Sequence, residues 1–313
     1  MHLCFFILFI FCDETSYCID QYLISGRSSF SVETIANVFG CFFSRFSTFS
    51  GNGGVIFFET EAVSMNLYYS MFFNCSVTSK GGAIYFISEK CNVSRVCSNK
   101  CSANTYQFAI FGATNSNMIE YVSITSCSTL QDGYESFRVY KGTQSIKSIN
   151  SSRNKVIWVS SMVFSDGSSS FIFQSTFVNN SSSDCYCIYS SAISGIVRYI
   201  NLIQNNSPSR YGVITVWSGS AEYMYCIFLN NTNRLFYINS GSISFLNSFL
   251  YHLDSFGSAS TLNNSVVLTE TFSQTFFSSY YCQTIHSICQ TKHMDEQIFN
   301  IRNLIGFINV FLI

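Results

Sequence analysis

A repeat with a period of about 26 residues constrains the fold of this chain more than any other feature of its sequence. Residues of one type recur at this spacing along the middle of the chain: Leu67, Val93 and Ile119; Cys75, Cys101 and Cys127; Asn154, Asn180 and Asn206; and the aromatic set Tyr85, Phe111 and Phe137. A fixed period of this length is the signature of a solenoid, because one unit alone cannot bury its apolar side.

Apolar and other residues alternate within each unit, as in Tyr223-x-Tyr225-x-Ile227-x-Leu229. Such alternation is typical of a half-buried strand and not of a helix. Stacking the units at the spacing of about 4.8 Å between strands places each residue on its counterpart in the next coil. The sequence therefore predicts an all-β fold, a right-handed parallel β-helix of the pectin-lyase-like type with about nine coils.

The two ends of the chain differ from this repeat. Residues 1–18 contain the apolar run MHLCFFILFIFC, which predicts a signal peptide, and the β-helix is predicted over 19–270. Residues 271–303 carry more charge and suit a C-terminal cap, which would cover the open end of the solenoid. The apolar tail 304–313 is expected to be either a truncated membrane anchor or a final strand.

Two glycine pairs lie at the start of apolar strands, in VTSKGGAIYF and GNGGVIFF. Gly81 and Gly82 lack the surrounding residues of a phosphate-binding loop, so we predict that they form a corner of the coil. Gly53 and Gly54 occupy the matching place one coil earlier, with the register shifted by two residues. The Asn repeats predict a ladder of amides that bond to one another along the stack.

The motif FFNC at 72–75, followed by GGAI at 81–84, resembles the paired FxxN and GGA[ILV] repeats of the chlamydial polymorphic outer membrane proteins. It is also similar to the β-helical surface proteins of trichomonad protists. The composition of the chain, rich in Phe, Tyr, Asn, Ser and Cys, resembles these proteins more closely. GNGGVIFF, FVNN at 177–180 and FLNN at 228–231 are degenerate copies. The resemblance implies a secreted or surface-anchored β-helix used in adhesion.

The cysteines and glycosylation motifs are compatible with an oxidising compartment, since twelve of the 14 cysteines lie outside the apolar run MHLCFFILFIFC. We expect an inter-coil disulfide within the column Cys75, Cys101 and Cys127, with Cys91 and Cys97 as further partners; the alternative is a column of buried thiols. Asn-x-Ser/Thr sequons begin at Asn74, Asn92, Asn150, Asn179, Asn180, Asn205, Asn230 and Asn263.

One segment has the residue types of a metal site. Cys282, His286, Cys289 and His293 fall on one stripe of a helix and could supply the ligands of zinc. Four ligands on one straight helix converge poorly on a single ion, so a disulfide between Cys282 and Cys289 in the cap is the preferred interpretation. No cofactor is predicted.

Acidic residues are scattered along the chain, at Asp132, Glu135, Asp166, Asp184 and Asp254, and no paired catalytic carboxylates are apparent. Asp184 and Arg210 are expected to touch across neighbouring coils. Net charge near −1 argues against nucleic acid as a partner. The leading hypothesis is a non-catalytic secreted or cell-surface protein that contacts surface glycans or proteins. The alternatives are a carbohydrate-active enzyme on the same fold and a structural spacer.

Overall fold

The computed structural model describes residues 9–11, 19–20, 34–48, 51–59, 63–127, 133–191, 193–207, 211–232, 234–250, 260–263, 266–267 and 282. These residues form an all-β solenoid of about eight turns whose paired strands run parallel. No helical element occurs in this part of the chain. The predicted parallel β-helix is thereby confirmed.

Each turn consists of three faces and a short fourth ladder. Besides parts of longer strands, the first face holds Ile56–Glu59, Glu135–Tyr140, Val159–Ser165, Tyr186–Ser191, Ile214–Val216 and Phe236–Ile238. The second holds Phe9–Phe11, Thr34–Phe39, Val63–Tyr68, Ser169–Phe173, Ile193–Arg198, Gly219–Met224, Ser242–Leu246 and Ser260–Asn263.

The third face holds Ile19–Asp20, Phe42–Ser44, Met71–Phe73, Thr176–Val178, Asn201–Ile203, Ile227–Leu229, Phe249–Leu250 and Val266–Val267. The fourth ladder holds Ser47–Thr48, Ser76–Val77, Ser102–Ala103, Lys155–Val156 and Ser181–Ser182. Strands Ile84–Asn99 and Tyr106–Thr125 run through all three faces, and Thr143–Ser152 runs through the second and third. These long strands join the faces into one continuous sheet.

The core is a set of columns of inward-facing side chains. Leu67, Val93 and Ile119 pair in register and are buried, as the repeat predicts. Aromatic rings stack from coil to coil, with centroids 5.0 Å apart for Phe43 and Phe72. Burying one such ring stabilises the fold by about 2–3 kcal/mol, so a column of rings contributes strongly to the contact between coils.

Left-handed residues form two corners of the solenoid. At the second corner, between the second and third faces, these residues are Gly40, Tyr69, Arg95, Tyr121, Ser148, Gln174, Tyr199, Tyr225 and Asn247. At the third corner, between the third face and the fourth ladder, they are Arg45, Asn74, Lys100, Ser126, Arg153, Asn179, Gln204 and Asn230. At most of these positions the backbone N–H still donates to a carbonyl of the next coil, as Gln204 does to the carbonyl of Leu229 at 2.8 Å.

The residue after each third-corner position points inward, and these residues form one ladder. From coil to coil they are Phe46, Cys75, Cys101, Cys127, Asn154, Asn180, Asn205 and Asn231. In the Asn part, each backbone N–H donates to the side-chain Oδ1 of the next coil, at 3.0 Å from Asn154 to Asn180 and 3.0 Å from Asn180 to Asn205. Each Nδ2 also donates to a backbone carbonyl, for example from Asn180 to Ser151 at 2.9 Å.

The cysteines occupy the same ladder as the asparagines. The N–H of Cys127 donates to Asn154 Oδ1 at 2.8 Å, and the backbones of Phe46 and Cys75 bond to the sulfurs of Cys75 and Cys101. Sulfur therefore accepts where the amide oxygen accepts in later coils. All three cysteines are buried free thiols, and the expected disulfide among them is not formed. Burial raises the pKa of the Cys75 and Cys127 thiols.

Two predicted registers are wrong by one or two residues. The Asn ladder continues through Asn205, whereas Asn206 is exposed and pairs with Ser181 and Thr232 on the fourth ladder. The cause lies on the third face, where Phe177 pairs with Leu202. This coil is therefore one residue shorter than the average period.

The aromatic residues Tyr85, Phe111 and Phe137 do not share one column. Their partners in register are Ile110 for Tyr85, Phe86 for Phe111 and Ala109 for Phe137. The coil is one residue shorter than average on the first face, and an irregularity between Ser88 and Lys90 restores the usual spacing on the second face. A uniform period therefore misplaces the rings, although Phe111 and Phe137 still touch edge-to-face with centroids 5.7 Å apart.

The glycine pairs form a corner before the first face. Gly53 and Gly81 have φ of 71° and 69°, a left-handed conformation that glycine adopts without steric cost. Gly54 stacks on Gly82, where a Cβ on Gly54 would collide with the Gly82 carbonyl oxygen. These glycines therefore allow close approach of backbone between coils.

One disulfide connects distant parts of the chain. Cys97 faces outward on the third face and is bonded to Cys282, with the Cα atoms 5.7 Å apart. Cys282 therefore does not pair with Cys289, and Cys91 is a buried free thiol. Phe42 and Met71 pack beside this bridge, so the disulfide itself lies against the third face.

Candidate binding groove on the first face

A groove of about 840 Å³ lies on the outside of the first face. Four successive coils contribute to it, because Glu135, Val159 and Tyr186 pair in register and Tyr189 pairs with Thr215 of the next strand. Residues far apart in the sequence thus become neighbours. We refer to this feature as the first-face groove; its polar lining residues are Glu135, Arg138 and Asp184, and its aromatic ones are Trp158, Tyr186, Tyr189, Tyr211 and Trp217.

Both tryptophans of the chain line this groove, and both are unusually exposed. Trp158 is 44% exposed and Trp217 is 39% exposed. Trp158 immediately precedes one strand of the first face, and Trp217 follows another strand two coils further on. The two indoles therefore stand at opposite edges of the face.

Tyrosines connect the middle of the groove to its far edge. The rings of Tyr186 and Tyr189 are stacked with centroids 5.3 Å apart, and Tyr211 meets Tyr186 edge-to-face at 5.4 Å. Tyr211 also contacts Tyr237 at 5.1 Å, and Tyr134 supports Trp158 at 5.3 Å. These mutual contacts hold the aromatic surface in place, since each ring restricts the rotation of its neighbour.

A carboxyl group and a guanidinium lie at the floor. Glu135 is 8% exposed, and its Oε1 lies 3.4 Å from Nη1 of Arg138. Arg138 also donates from Nη2 to Ser165 Oγ at 3.1 Å and from Nη1 to Tyr106 Oη at 3.4 Å. Among the described residues, Oε2 of Glu135 and Nε of Arg138 are buried and have no hydrogen-bond partner. Buried atoms of this kind cost about 1–3 kcal/mol each unless they are satisfied.

Burial raises the pKa of Glu135 to about 7, with Arg138 opposing the shift. Removing the carboxylate from water disfavours its charged form, and one long ion pair compensates only in part. The carboxyl group therefore changes protonation near neutral pH. Burial and the neighbouring Asp184 also raise the pKa of Cys185, to about 11, so this thiol stays protonated at neutral pH.

The sequence did not identify this site. Glu135 and Asp184 stood out only as scattered acids, and the structure brings them to one groove. The signal that could have found it is the pair of tryptophans, the rarest aromatic type in the chain. Arg210, the expected partner of Asp184, lies outside the described residues.

Of the four candidate zinc ligands, the structure describes Cys282 alone. The sulfur of Cys282 is bonded to Cys97, and so it is not a free thiolate ligand. His286, Cys289 and His293 lie outside the described residues. Within the described part of the chain, no group of three or more His, Cys, Asp or Glu side chains could hold a metal ion.

The sequons differ in their accessibility. Asn180 and Asn205 are buried members of the inward ladder, whereas Asn179 and Asn230 are exposed at the third corner. Asn74 is exposed at the same corner, so an enzyme can reach these three asparagines in the folded protein but not the two buried ones. None of the described residues belongs to a helix long and apolar enough to cross a membrane.

Comparisons of the chain with family models, with curated proteins and with solved structures find no match. The fold and the groove together define the class, a parallel β-helix with an aromatic groove on one lateral face. Resemblance to chlamydial and trichomonad surface proteins stays a prediction from the sequence motifs.

Proposed function

We propose that the protein is a non-catalytic β-helix, secreted or exposed at a cell surface, that adheres to surface molecules through the first-face groove. The observation that supports this most is the position of Trp158 and Trp217. Both are partly exposed in one groove that Glu135, Arg138 and Asp184 also line. Exposed tryptophans are uncommon on surfaces that bind nothing and frequent at the centre of binding sites.

The rest of the groove supports the same function. Tyrosine hydroxyls, a carboxylate and a guanidinium supply donors and acceptors beside flat apolar rings. A site with a few polar groups among aromatic walls is the usual composition of ligand pockets. The supporting ring contacts mean that little side-chain entropy is lost when a ligand binds.

Adhesion is tested by measuring binding of the purified β-helix to intact cells. We expect saturable binding that weakens about tenfold or more when Trp158→Ala or Trp217→Ala removes a stacking surface. Tyr225→Ala is the matched control, since Tyr225 is 45% exposed at the second corner, away from the groove. Absence of saturable binding, or equal loss in all three variants, would contradict the proposal.

Location is tested separately with a tagged protein in the cells that produce it. The proposal expects the tag in the medium or on the outside of intact cells, where added protease removes it. Protein that is found only inside the cells and is protected from protease would rule out a surface role.

A carbohydrate-active enzyme is a second candidate, because of Glu135. A carboxyl group whose pKa is raised to about 7 could act as a general acid, and Asp184 supplies a second carboxyl in the same groove. We expect no release of new reducing or unsaturated ends from polysaccharides under our leading proposal. Release that Glu135→Gln abolishes while binding persists would establish the enzyme instead.

A further inference from the structure

We infer that the ligand of the first-face groove is a neutral oligosaccharide that extends across the face from Trp158 to Trp217. This inference rests on the proposed function and names the chemical class of its ligand. It depends on three features of the groove: the separation of the indoles, the polar atoms of the floor and the balance of charge.

The separation of the indoles favours an elongated ligand. Trp158 and Trp217 lie two coils apart along the axis and at opposite edges of the face. With a rise of about 3.3 Å per residue along a strand, they are on the order of 20 Å apart. One small molecule cannot contact both rings, whereas an oligosaccharide of several units can place the apolar C–H face of one sugar on each.

The floor favours a ligand rich in hydroxyl groups. Glu135 and Asp184 bring carboxyl acceptors to the lining of the groove, and Arg138 brings guanidinium donors. A hydroxyl group both donates and accepts, so a run of hydroxyls matches such a mixed surface. Tyr186 and Tyr189 line the same groove, and their hydroxyls extend this surface.

The charge of the groove disfavours acidic glycans. Arg138 is the one cation among the described lining residues, and it is already paired with Glu135. Asp184 adds a negative charge that would repel a uronate, sialate or sulfate group. Like charges brought together at a binding surface cost several kcal/mol, so a neutral sugar chain fits best.

Titration calorimetry with a length series of neutral hexose oligosaccharides tests this inference, with uronate-containing oligosaccharides as the acidic comparison. We expect affinity to rise with length until both indoles are covered and then to level off. Trp158→Ala and Trp217→Ala should each weaken binding of the longer chains by about tenfold, and Tyr225→Ala should leave it unchanged. Circular dichroism of each variant would confirm that the fold is retained.

Two results would overturn the inference. One is that no neutral oligosaccharide binds; the other is that the acidic series binds as tightly as the neutral series. If cell binding depends on the tryptophans but resists glycosidase treatment and competition by sugars, the ligand is a protein, and adhesion stands without this inference. If the sugars bind as expected but cells do not, the inference stands and adhesion fails.

Discussion

At the scale of single residues, the fold depends on pairs of positions at its corners. A left-handed residue turns the strand, and the next residue points inward and bonds to its counterpart in the following coil. A non-glycine residue in this conformation costs about 1–2 kcal/mol. The sequence revealed the inward residues, because Asn and Cys repeat, but it contained no sign that Tyr69, Arg95 or Gln204 would be left-handed.

Gln204 tests the cost of the corner conformation. It is exposed, with φ of 54°. Gln204→Val should lower the free energy of unfolding by about 1–3 kcal/mol, because a β-branched residue tolerates this conformation poorly, while Gln204→Asn should be neutral or slightly stabilising. Urea unfolding measures both. Equal stability of the two variants would show that this corner is not left-handed in solution.

The Asn ladder offers a test with an adjacent control. Asn180→Ala removes an acceptor for the N–H of Asn154 and a donor to the carbonyl of Ser151, so we expect a loss of about 3 kcal/mol. Asn206→Ala, at the exposed position that the uniform period selected, should cost less than about 1 kcal/mol. If urea unfolding showed a larger loss of stability for Asn206→Ala than for Asn180→Ala, the ladder would follow the uniform period of 26 residues instead.

Glu135 makes the stability depend on pH. Its pKa is raised from 4.5 to about 7, so between these values the folded chain binds the proton that the unfolded chain has lost. The contribution of Glu135 to the free energy of unfolding should therefore be largest below about pH 4.5 and fall by on the order of 3 kcal/mol as pH rises past 7. The Glu135→Gln variant should lack this part of the pH dependence of the free energy of unfolding. Parallel pH profiles for both proteins would show that the carboxylate is not desolvated.

At the scale of elements, strands and ladders were predictable where the period was constant. On the second face the spacing is 26 residues from Leu67 through Val93 to Ile119, and these core residues were assigned correctly. The first face was not predictable in this way, since irregular pairing at Ser88 and Lys90 changes the spacing. The groove was missed for a related reason, because its residues come from four coils and none of them follows the repeat.

The shared ladder of cysteines and asparagines predicts that one residue can replace the other. In Cys127→Asn, the new Oδ1 can accept the N–H of Cys101, and Ser98 stands beside it as Ser151 stands beside Asn180. We expect a change in stability within about 1 kcal/mol for Cys127→Asn and a loss of about 2 kcal/mol for Cys127→Val, which has no acceptor. Thermal unfolding measures the stability of both variants. A larger loss for Cys127→Asn than for Cys127→Val would show that cysteine and asparagine do not occupy equivalent positions in one ladder.

At the scale of the whole molecule, function depends on how coils lie over one another. The first-face groove exists because Glu135, Val159 and Tyr186 lie in register, directly over one another on successive turns. A shift of one residue would turn outward side chains inward and disperse the aromatic surface. The register between coils is therefore the central claim, on which both the adhesion proposal and the oligosaccharide inference depend.

Disulfide trapping tests this register most directly. Ser194 and Ser220 pair on the second face, between two of the coils that also form the groove, with their Oγ atoms 3.3 Å apart. Glu222 lies two residues further along the same strand. Two strands about 4.8 Å apart bring an in-register pair within the Cα distance that a disulfide allows, and a shift of two residues exceeds it. We predict that Ser194→Cys with Ser220→Cys crosslinks readily under mild oxidation, as detected by peptide mass spectrometry, and that Ser194→Cys with Glu222→Cys does not. Preferential crosslinking of the second pair would contradict the stacking of coils described above.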